Sequence, residues 1–514
     1  MYEVAANAAA YFVDRHAEGP RRDHPAFIEA ATSGRTLTYG DLGAQSARVG
    51  AMLARHGVER ESRVALLMLD SADLPVAFWG AIKAGVQPAP INTLLSTELY
   101  GAILADCRAN ALIVSRELWP AVAPLLPDHP FLRAAFVSGG EAPEGALDYA
   151  AELAASAPRP TAPASPDECA FWLYSSGSTG QPKGVRHAHA SLKYTADTFG
   201  AEVLGIEADD LVFSAAKLFF AYGLGNAMTF PMSVGATSVL FAGRPTPDAV
   251  FDVLGKFRPS VFCGVPTLYA AMDARLEAGA AKIAHPLRRC VSAGEALPEE
   301  IGAKWERFTG CEMLDGVGST EMLHIFLSNR PGEVVYGTSG EAVPGYLLRL
   351  VDEAGREVEE GEIGEMLVKG KSSAMDYYCR LAQSRSTFEG HWTRTGDKYV
   401  KLKAGRYRYC GRTDDMFKVG GIWLAPFEVE QALIAHPRVL EAAVVSMRDA
   451  DGLEKPKAYV ILKPGAACEG LVAQLQEHVK ARIGLWKYPR AVEFCEELPK
   501  TASGKIQRFK LRVE

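Results

Sequence analysis

Tyr174-Ser175-Ser176-Gly177-Ser178-Thr179-Gly180-Gln181-Pro182-Lys183-Gly184-Val185 packs serine and threonine hydroxyls, glycines and one lysine into a short stretch. Glycine lets a backbone approach an anion closely and take up positive φ. Hydroxyls and main-chain N–H groups donate hydrogen bonds, and lysine adds a mobile positive charge. That chemistry suits a polyphosphate. The apolar run Cys169-Ala170-Phe171-Trp172-Leu173-Tyr174 predicts a buried strand, which puts the loop at a strand end. A P-loop needs glycine immediately before its lysine and serine or threonine after it. Pro182 and Gly184 stand there instead, so the stretch is not that motif. A plain surface turn is the alternative, disfavoured because such turns seldom combine this composition with a preceding strand.

Outward from the loop, short apolar runs alternate with helical patterns. Strands are expected at residues 64–68, 111–114, 135–137, 211–213, 237–241, 260–263, 290–292 and 312–314. Helices are expected at 73–84, 247–257, 267–278 and 298–309. This alternation predicts an α/β fold of parallel sheets covered by helices. Ligands then lie beyond the carboxyl ends of the strands. Residues 156–166 are proline-rich and predict a linker. Glycine-punctuated short strands over 336–409 predict a small β-rich subdomain. Strands near 443–446, 458–462 and 492–494 with a helix over 471–483 predict a compact α+β domain. The expected division is an N-terminal domain of residues 1–413, with subdomains of about 1–160, 166–335 and 336–413, and a C-terminal domain of 414–514.

A chain of 514 residues has ample length for two or more domains. With 48% hydrophobic and 23% charged residues it reads as globular. A net charge of −7 offers no basic excess for nucleic acid, so anion sites must come from particular residues. Nine cysteines without a Cys-x-x-Cys pair predict reduced structural thiols. No signal peptide and no apolar span of membrane-crossing length is expected. A cytoplasmic protein follows from these features.

Further motifs lie downstream. They are Ser292-Ala293-Gly294-Glu295, Asp315-Gly316-Val317-Gly318-Ser319-Thr320-Glu321, Thr395-Gly396-Asp397, Gly411-Arg412-Thr413-Asp414-Asp415-Met416-Phe417-Lys418-Val419-Gly420-Gly421 and Pro499-Lys500-Thr501-Ala502-Ser503-Gly504-Lys505-Ile506. With the first loop, this ordered series resembles the adenylate-forming superfamily of acyl-CoA synthetases, luciferases and peptide-synthetase adenylation domains. Each motif alone is weak. Asp397 beside Lys398 reads as a solvated pair, Glu321 as a helix N-terminal charge, and Lys505 as a surface lysine. The order of the whole series reverses those odds.

The resemblance implies a chemistry. A carboxylate attacks the α-phosphate of ATP, giving an acyl-adenylate and pyrophosphate, and a thiol then displaces AMP. Two anions must be aligned despite their repulsion. By resemblance, Ser175, Ser176, Gly177, Ser178, Thr179, Gly180 and Lys183 hold the phosphates. Ala293, Gly294, Glu295, Asp315, Gly316, Val317, Gly318 and Ser319 surround the nucleotide, Thr320 donates to the α-phosphate or the carboxylate, and Glu321 holds Mg²⁺. Asp397 and Arg412 take the ribose, and Lys505 bridges carboxylate and α-phosphate. Asp414 is the hinge about which the C-terminal lid turns, withdrawing Lys505. Lys418, Gly420 and Gly421 then line the channel for the CoA thiol. Val317 departs from the family, which usually places an aromatic ring there.

The run Lys217-Leu218-Phe219-Phe220-Ala221-Tyr222-Gly223-Leu224-Gly225 and Gly318–Phe326 resemble benzoate-CoA ligases in particular. Phe219, Phe220, Ala221, Tyr222, Gly223, Val317 and His324 are the expected acyl pocket, a flat slot suited to a planar ring. Core packing is the plainer explanation for such aromatics. His324 reads either as a contact to a ring substituent or as a structural histidine, and His187 and His189 as structural. Benzoate, hydroxybenzoates and aminobenzoates all stay open, because one polar substituent can dictate selectivity. Free CoA is the expected acceptor, with a separate carrier protein or another acid as the alternative. A non-enzymatic nucleotide-binding protein is the third possibility, weakened by the presence of every charged motif residue. The resemblance further implies aromatic-compound metabolism, small-molecule partners and a homodimer, while charge and hydropathy predict no nucleic-acid or membrane partner.

Overall fold

The structure, a computed structural model, describes residues 3–31, 34–127, 129–176, 182–413, 415–419, 422–449, 453–463, 465, 470–500 and 506–512. Its largest sheet has nine strands, in the order Glu341–Ala342, Ile325–Ser328, Met313–Gly318, Arg289–Ala293, Val261–Gly264, Leu211–Ser214, Thr237–Leu240, Pro25–Glu29 and Thr36–Thr38. The inner strands run parallel, and hairpin partners close both edges. A second, parallel sheet of five strands runs Gln87–Pro90, Arg63–Leu67, Ala111–Ser115, Ala134–Ser138 and Leu147–Asp148. The expected strands and helices of residues 64–314 are present within a few residues of their expected bounds.

Helices Tyr39–Arg55 and Asp73–Lys83 pack against each other between the two sheets. The first begins with a reciprocal cap between Thr38 and Asp41, which satisfies two otherwise unpaired N–H groups. The second is buried from Leu74 to Lys83, as a helix apolar all round must be. One continuous core joins both sheets through Phe27, Val64, Phe78, Trp79, Phe136, Phe171 and Phe230.

Three features differ from expectation. Strands Pro25–Glu29 and Thr36–Thr38 join the nine-stranded sheet, so the first subdomain is not the contiguous block of residues 1–160. The proline-rich segment is a pinned strap and not a loose linker. Arg159 N–H donates to Ala47 O and Ala162 N–H to Lys83 O, each at 2.7 Å, and Ala164 pairs with Glu3. Residues 182–185, expected as part of a loop, belong to strand Pro182–Ala188, paired antiparallel to Cys169–Ser176.

The β-rich region holds Leu347–Val351, Ile363–Lys369, Trp392–Lys401, Phe388–Glu389 and Tyr407–Arg412 in one sheet. Near the C-terminus, helices Pro426–Ile434 and Leu471–Ile483 pack on the sheet of Val439–Arg448, Glu454–Leu462 and Ala491–Phe494. The eight cysteines among the described residues are all unpaired. No helix among them is long and apolar enough to cross a membrane.

Candidate active site

The opening stretch forms a hairpin. Tyr174 stands opposite Gly184, Ser175 opposite Lys183 and Ser176 opposite Pro182. Gly177, Ser178, Thr179, Gly180 and Gln181, which connect the strands, lie outside the described residues. An added Cβ at Gly184 would press on the Trp172 ring at 2.9 Å, so glycine is required by packing there. Tyr174 donates from its hydroxyl to Asp106 Oδ2 at 2.9 Å, tying the hairpin to helix Thr97–Asp106.

A third strand, Asp376–Tyr377, pairs with Pro182–Ala188 on its other edge. Arg186 clamps Asp376, with Nε 2.7 Å from Oδ1. This register brings Tyr377 into the site. Its hydroxyl donates to Glu321 Oε1 at 2.7 Å, and Lys183 Nζ lies 4.4 Å from its ring centroid. Burial, then the Glu321 charge, hold the phenol well above its ordinary pKa, while Arg412 acts in the opposite direction. Ala374 N–H donates to Glu321 O at 2.7 Å, fixing the main chain beneath the carboxylate.

Glu321 sits in the turn between antiparallel strands Met313–Gly318 and Ile325–Ser328. No helix begins there, so the helix-terminal explanation of its charge does not apply. Within the turn Met322 N–H is capped by Ser319 Oγ at 3.1 Å, and Leu323 N–H donates to Thr320 O at 3.1 Å. Ser292 pairs with Asp315 and Ala293 with Gly316. The two segments expected at the nucleotide therefore occupy neighbouring carboxyl ends of parallel strands, the usual ligand position in such sheets. Gly294 has φ +95, in the left-handed region that favours glycine. Glu295 is half-buried, and Val317 is half-buried against the main core. Asp315 is buried, and desolvation pushes its carboxyl up to about 8 against the opposing Ser339 and Leu297 hydrogen bonds.

Asp397 and Arg412 face each other across two paired strands, with Arg412 Nη1 3.1 Å from Asp397 Oδ1. Arg412 also donates to Thr395 O at 3.2 Å. Gly396 has φ +69, and an added Cβ would meet the Arg412 guanidinium at 2.9 Å. Asp414, Gly420, Gly421 and Lys505 lie outside the described residues, as does the Lys418 side chain within strand Phe417–Val419.

A narrow crevice lies near the 217–225 segment. It is lined by Leu192, Thr195, Ala221, Leu224, Gly225, Thr229, Leu323 and His324. Ala221 and His324 were expected there. Phe219, Phe220, Tyr222, Gly223 and Val317 do not line this crevice. Tyr222 instead supports its wall, with Oη 3.0 Å from both Gly264 O and Val291 O. His324 is buried among Phe199, Phe230 and Tyr222, at ring separations of 5.3, 4.5 and 5.9 Å. Burial pushes its pKa down to about 3 despite a contact with Tyr222 O, so the ring is neutral. Its Nδ1 has no hydrogen-bond partner among the described residues.

The segment is anchored from below by Asp70, at the end of the Arg63–Leu67 region. Leu218 N–H lies 3.3 and 3.4 Å from the two Asp70 oxygens. Lys217 Nζ donates to Phe241 O and, at 2.7 Å, to Gly243 O. Burial pushes Asp70 up to about 6, opposed by the Lys217 charge and the Leu218 N–H. His187 and His189 are buried; burial pushes them down to about 3 and about 4. His187 stacks on Phe171 at 5.2 Å, and His189 Nδ1 accepts from Ala8 N–H at 3.1 Å.

Sequence patterns did not single out Tyr377, Asp70, Thr195 or Thr229. Tyr377 belongs to a strand of two residues, too short to show a period, and only the adjacent pair Tyr377-Tyr378 distinguishes it.

A family model described as AMP-binding enzyme matches residues 13–378, and one described as AMP-binding enzyme C-terminal domain matches residues 428–505. The chain is 50% identical to a 4-hydroxybenzoate–CoA/benzoate–CoA ligase of Rhodopseudomonas palustris over 98% of its own length and 94% of the relative's. It is 51% identical to a benzoate–CoA ligase of Thauera aromatica, covering 98% of this chain and 95% of that one. The crystal structure of a benzoate CoA ligase from Burkholderia xenovorans LB400 superposes with a TM-score of 0.90 at 47% identity, covering 99% of this chain and 100% of that one.

Proposed function

We propose, from the premise that the chain belongs to the AMP-binding enzyme family, that it is an AMP-forming aromatic acid–CoA ligase. The observation that carries this is a juxtaposition. A narrow, mostly apolar crevice lined by Ala221 and His324 adjoins the same turn, Ser319–His324, that presents Glu321 to Tyr377, whose ring lies against Lys183.

The aromatic ring is received beside Ala221 and His324, leaving its carboxylate toward Thr320. A carboxylate oxygen attacks the α-phosphorus of ATP, and the bond from that phosphorus to the bridging oxygen of pyrophosphate breaks. Lys183 and the hydroxyl-rich hairpin neutralise the departing pyrophosphate. Thr320 donates to the α-phosphate or the carboxylate. Asp397 accepts from the ribose hydroxyls, with Arg412 beside it. Lys505 screens the repulsion between the two anions. Mg²⁺ fits here, since one protein carboxylate plus phosphate oxygens is its usual setting, and Glu321 would hold it to neutralise phosphate charge. CoA then attacks the acyl carbon through its thiol sulfur and AMP leaves. Turning of residues 414–514 about Asp414 exchanges Lys505 for the Lys418–Gly420–Gly421 channel between the two steps.

Benzoate suits the mostly apolar crevice, and a single ring hydroxyl can satisfy His324 Nδ1. A panel of benzoate, hydroxybenzoates, 2-aminobenzoate and acetate, each with ATP, Mg²⁺ and CoA, tests the substrate class. Thioester formation is expected from benzoate and at least one monohydroxybenzoate, and not from acetate. Acetate as the preferred substrate would overturn the aromatic assignment.

A further inference from the structure

Tyr377 is in contact with both charged groups assigned to the polyphosphate end of the site. Its phenol oxygen is bonded to Glu321 Oε1, and the Lys183 ammonium stands 4.4 Å from its ring centroid. The residue is 4% exposed and is not a mobile side chain that happens to lie nearby. Its strand is fastened on both sides. Asp376 is clamped by Arg186, and Arg380 Nη2 donates to Asp106 Oδ1 at 3.0 Å. Asp106 also accepts from Tyr174 at the base of the phosphate hairpin. Phe388 packs on the phenol at 5.3 Å between ring centroids. The hairpin and the tyrosine are therefore held as one unit.

We propose that Tyr377 is a positioning residue of the nucleotide site, orienting the Glu321 carboxylate for the divalent cation and holding the Lys183 ammonium in place for the incoming polyphosphate. This rests on the roles proposed above for Glu321 and Lys183. A carboxylate that accepts a hydrogen bond through Oε1 keeps one orientation and offers Oε2 to the cation. Fixing a ligand through an outer partner strengthens metal binding. The ring face attracts the ammonium, and a phosphate, carrying full negative charge, outcompetes it when it arrives. The two contacts use different parts of the side chain, so they can be separated by substitution.

The test is calorimetric binding of a non-hydrolysable ATP analogue with and without Mg²⁺, together with pyrophosphate release. Tyr377→Phe keeps the ring and is expected to reduce the Mg²⁺-dependent gain in affinity about 10-fold, as for loss of a hydrogen bond to a charged group. Its metal-free affinity should stay within about 2-fold. Tyr377→Leu should also lower metal-free affinity, by about 5-fold. In a Glu321→Gln background, Tyr377→Phe should add less than about 2-fold, because the tyrosine acts through that carboxylate. An unchanged Mg²⁺-dependent gain in Tyr377→Phe overturns the proposal. So does an undiminished effect in the Glu321→Gln background, or a lowered thermal midpoint with no coupling between the two substitutions. A wild-type protein whose affinity does not respond to Mg²⁺ overturns the assignment of Glu321 instead.

Discussion

Arg508 grips Glu430 with two parallel hydrogen bonds, Nε to Oε1 at 3.0 Å and Nη2 to Oε2 at 2.8 Å. Glu430 is 3% exposed, and its Oε1 also accepts Val444 N–H at 2.7 Å. Arg508 Nη1 reaches Asp415 Oδ2 at 3.3 Å, and Arg512 reaches Asp415 Oδ1 at 2.6 Å. The segment just after Lys505 is thus tied to the residue just after Asp414. Removing one member of a buried pair strands the other charge, which costs about 3–5 kcal/mol. Arg508→Ala is expected to unfold the C-terminal region at a lower temperature than wild type in calorimetry and to slow pyrophosphate release. Arg508→Lys should rescue only part of this, because an ammonium cannot form the fork. Wild-type calorimetry for Arg508→Ala would show that the clamp carries no stability.

Asp315 supplies a pH test. Its folded pKa of about 8 lies above the ordinary value of 3.8, chiefly through desolvation. A carboxyl with a raised pKa contributes stability that is present below 3.8 and lost as pH rises through about 8. Asp315→Asn mimics the protonated acid and does not titrate. From pH 5 to pH 8, wild type should lose up to about 1.4 kcal/mol per pH unit relative to the variant. Urea titrations at each pH check this, and a constant difference between the two proteins would contradict it.

The crevice predicts a separation of substrate constants. An added Cβ at Gly225 would run into the His324 ring. Overpacking of this kind costs about 1–3 kcal/mol, so Gly225→Ala should raise the KM for benzoate about 10-fold or more. The KM for ATP should stay within about 2-fold, since the Asp397–Arg412 pair is untouched. Equal rises in both would mean that the crevice does not hold the ring.

Asp397 predicts sugar selectivity. A lost hydrogen bond to a charged acceptor costs about 1.5–3 kcal/mol. Asp397→Ala should raise the KM for ATP about 10- to 100-fold and abolish discrimination between ATP and 2′-deoxy-ATP. Retained discrimination in steady-state kinetics would remove Asp397 from the ribose.

The parallel strands of residues 211–314 were legible because each is a short apolar run set off from the helical patterns around it. The pairing of Pro25–Glu29 with Thr237–Leu240 was not. A five-residue strand beginning with proline carries little signal, and its partner lies about two hundred residues away in the chain. Asp397 and Arg412 were readable as motif residues, and the strand register sets them opposite each other. Tyr377 was invisible because its role depends on register against Pro182–Ala188. The crevice was half legible: Ala221 and His324 line it, whereas Thr195, Thr229 and Leu192 come from helical segments whose facing follows from packing.

The most direct measurement is mass-spectrometric analysis of the purified chain with Mg²⁺, ATP and benzoate, first without CoA and then with it. Benzoyl-AMP and pyrophosphate are expected in the first stage, and benzoyl-CoA with AMP in the second. If no acyl-adenylate forms with benzoate or any hydroxybenzoate, although the protein is folded and binds ATP, the proposed chemistry is contradicted.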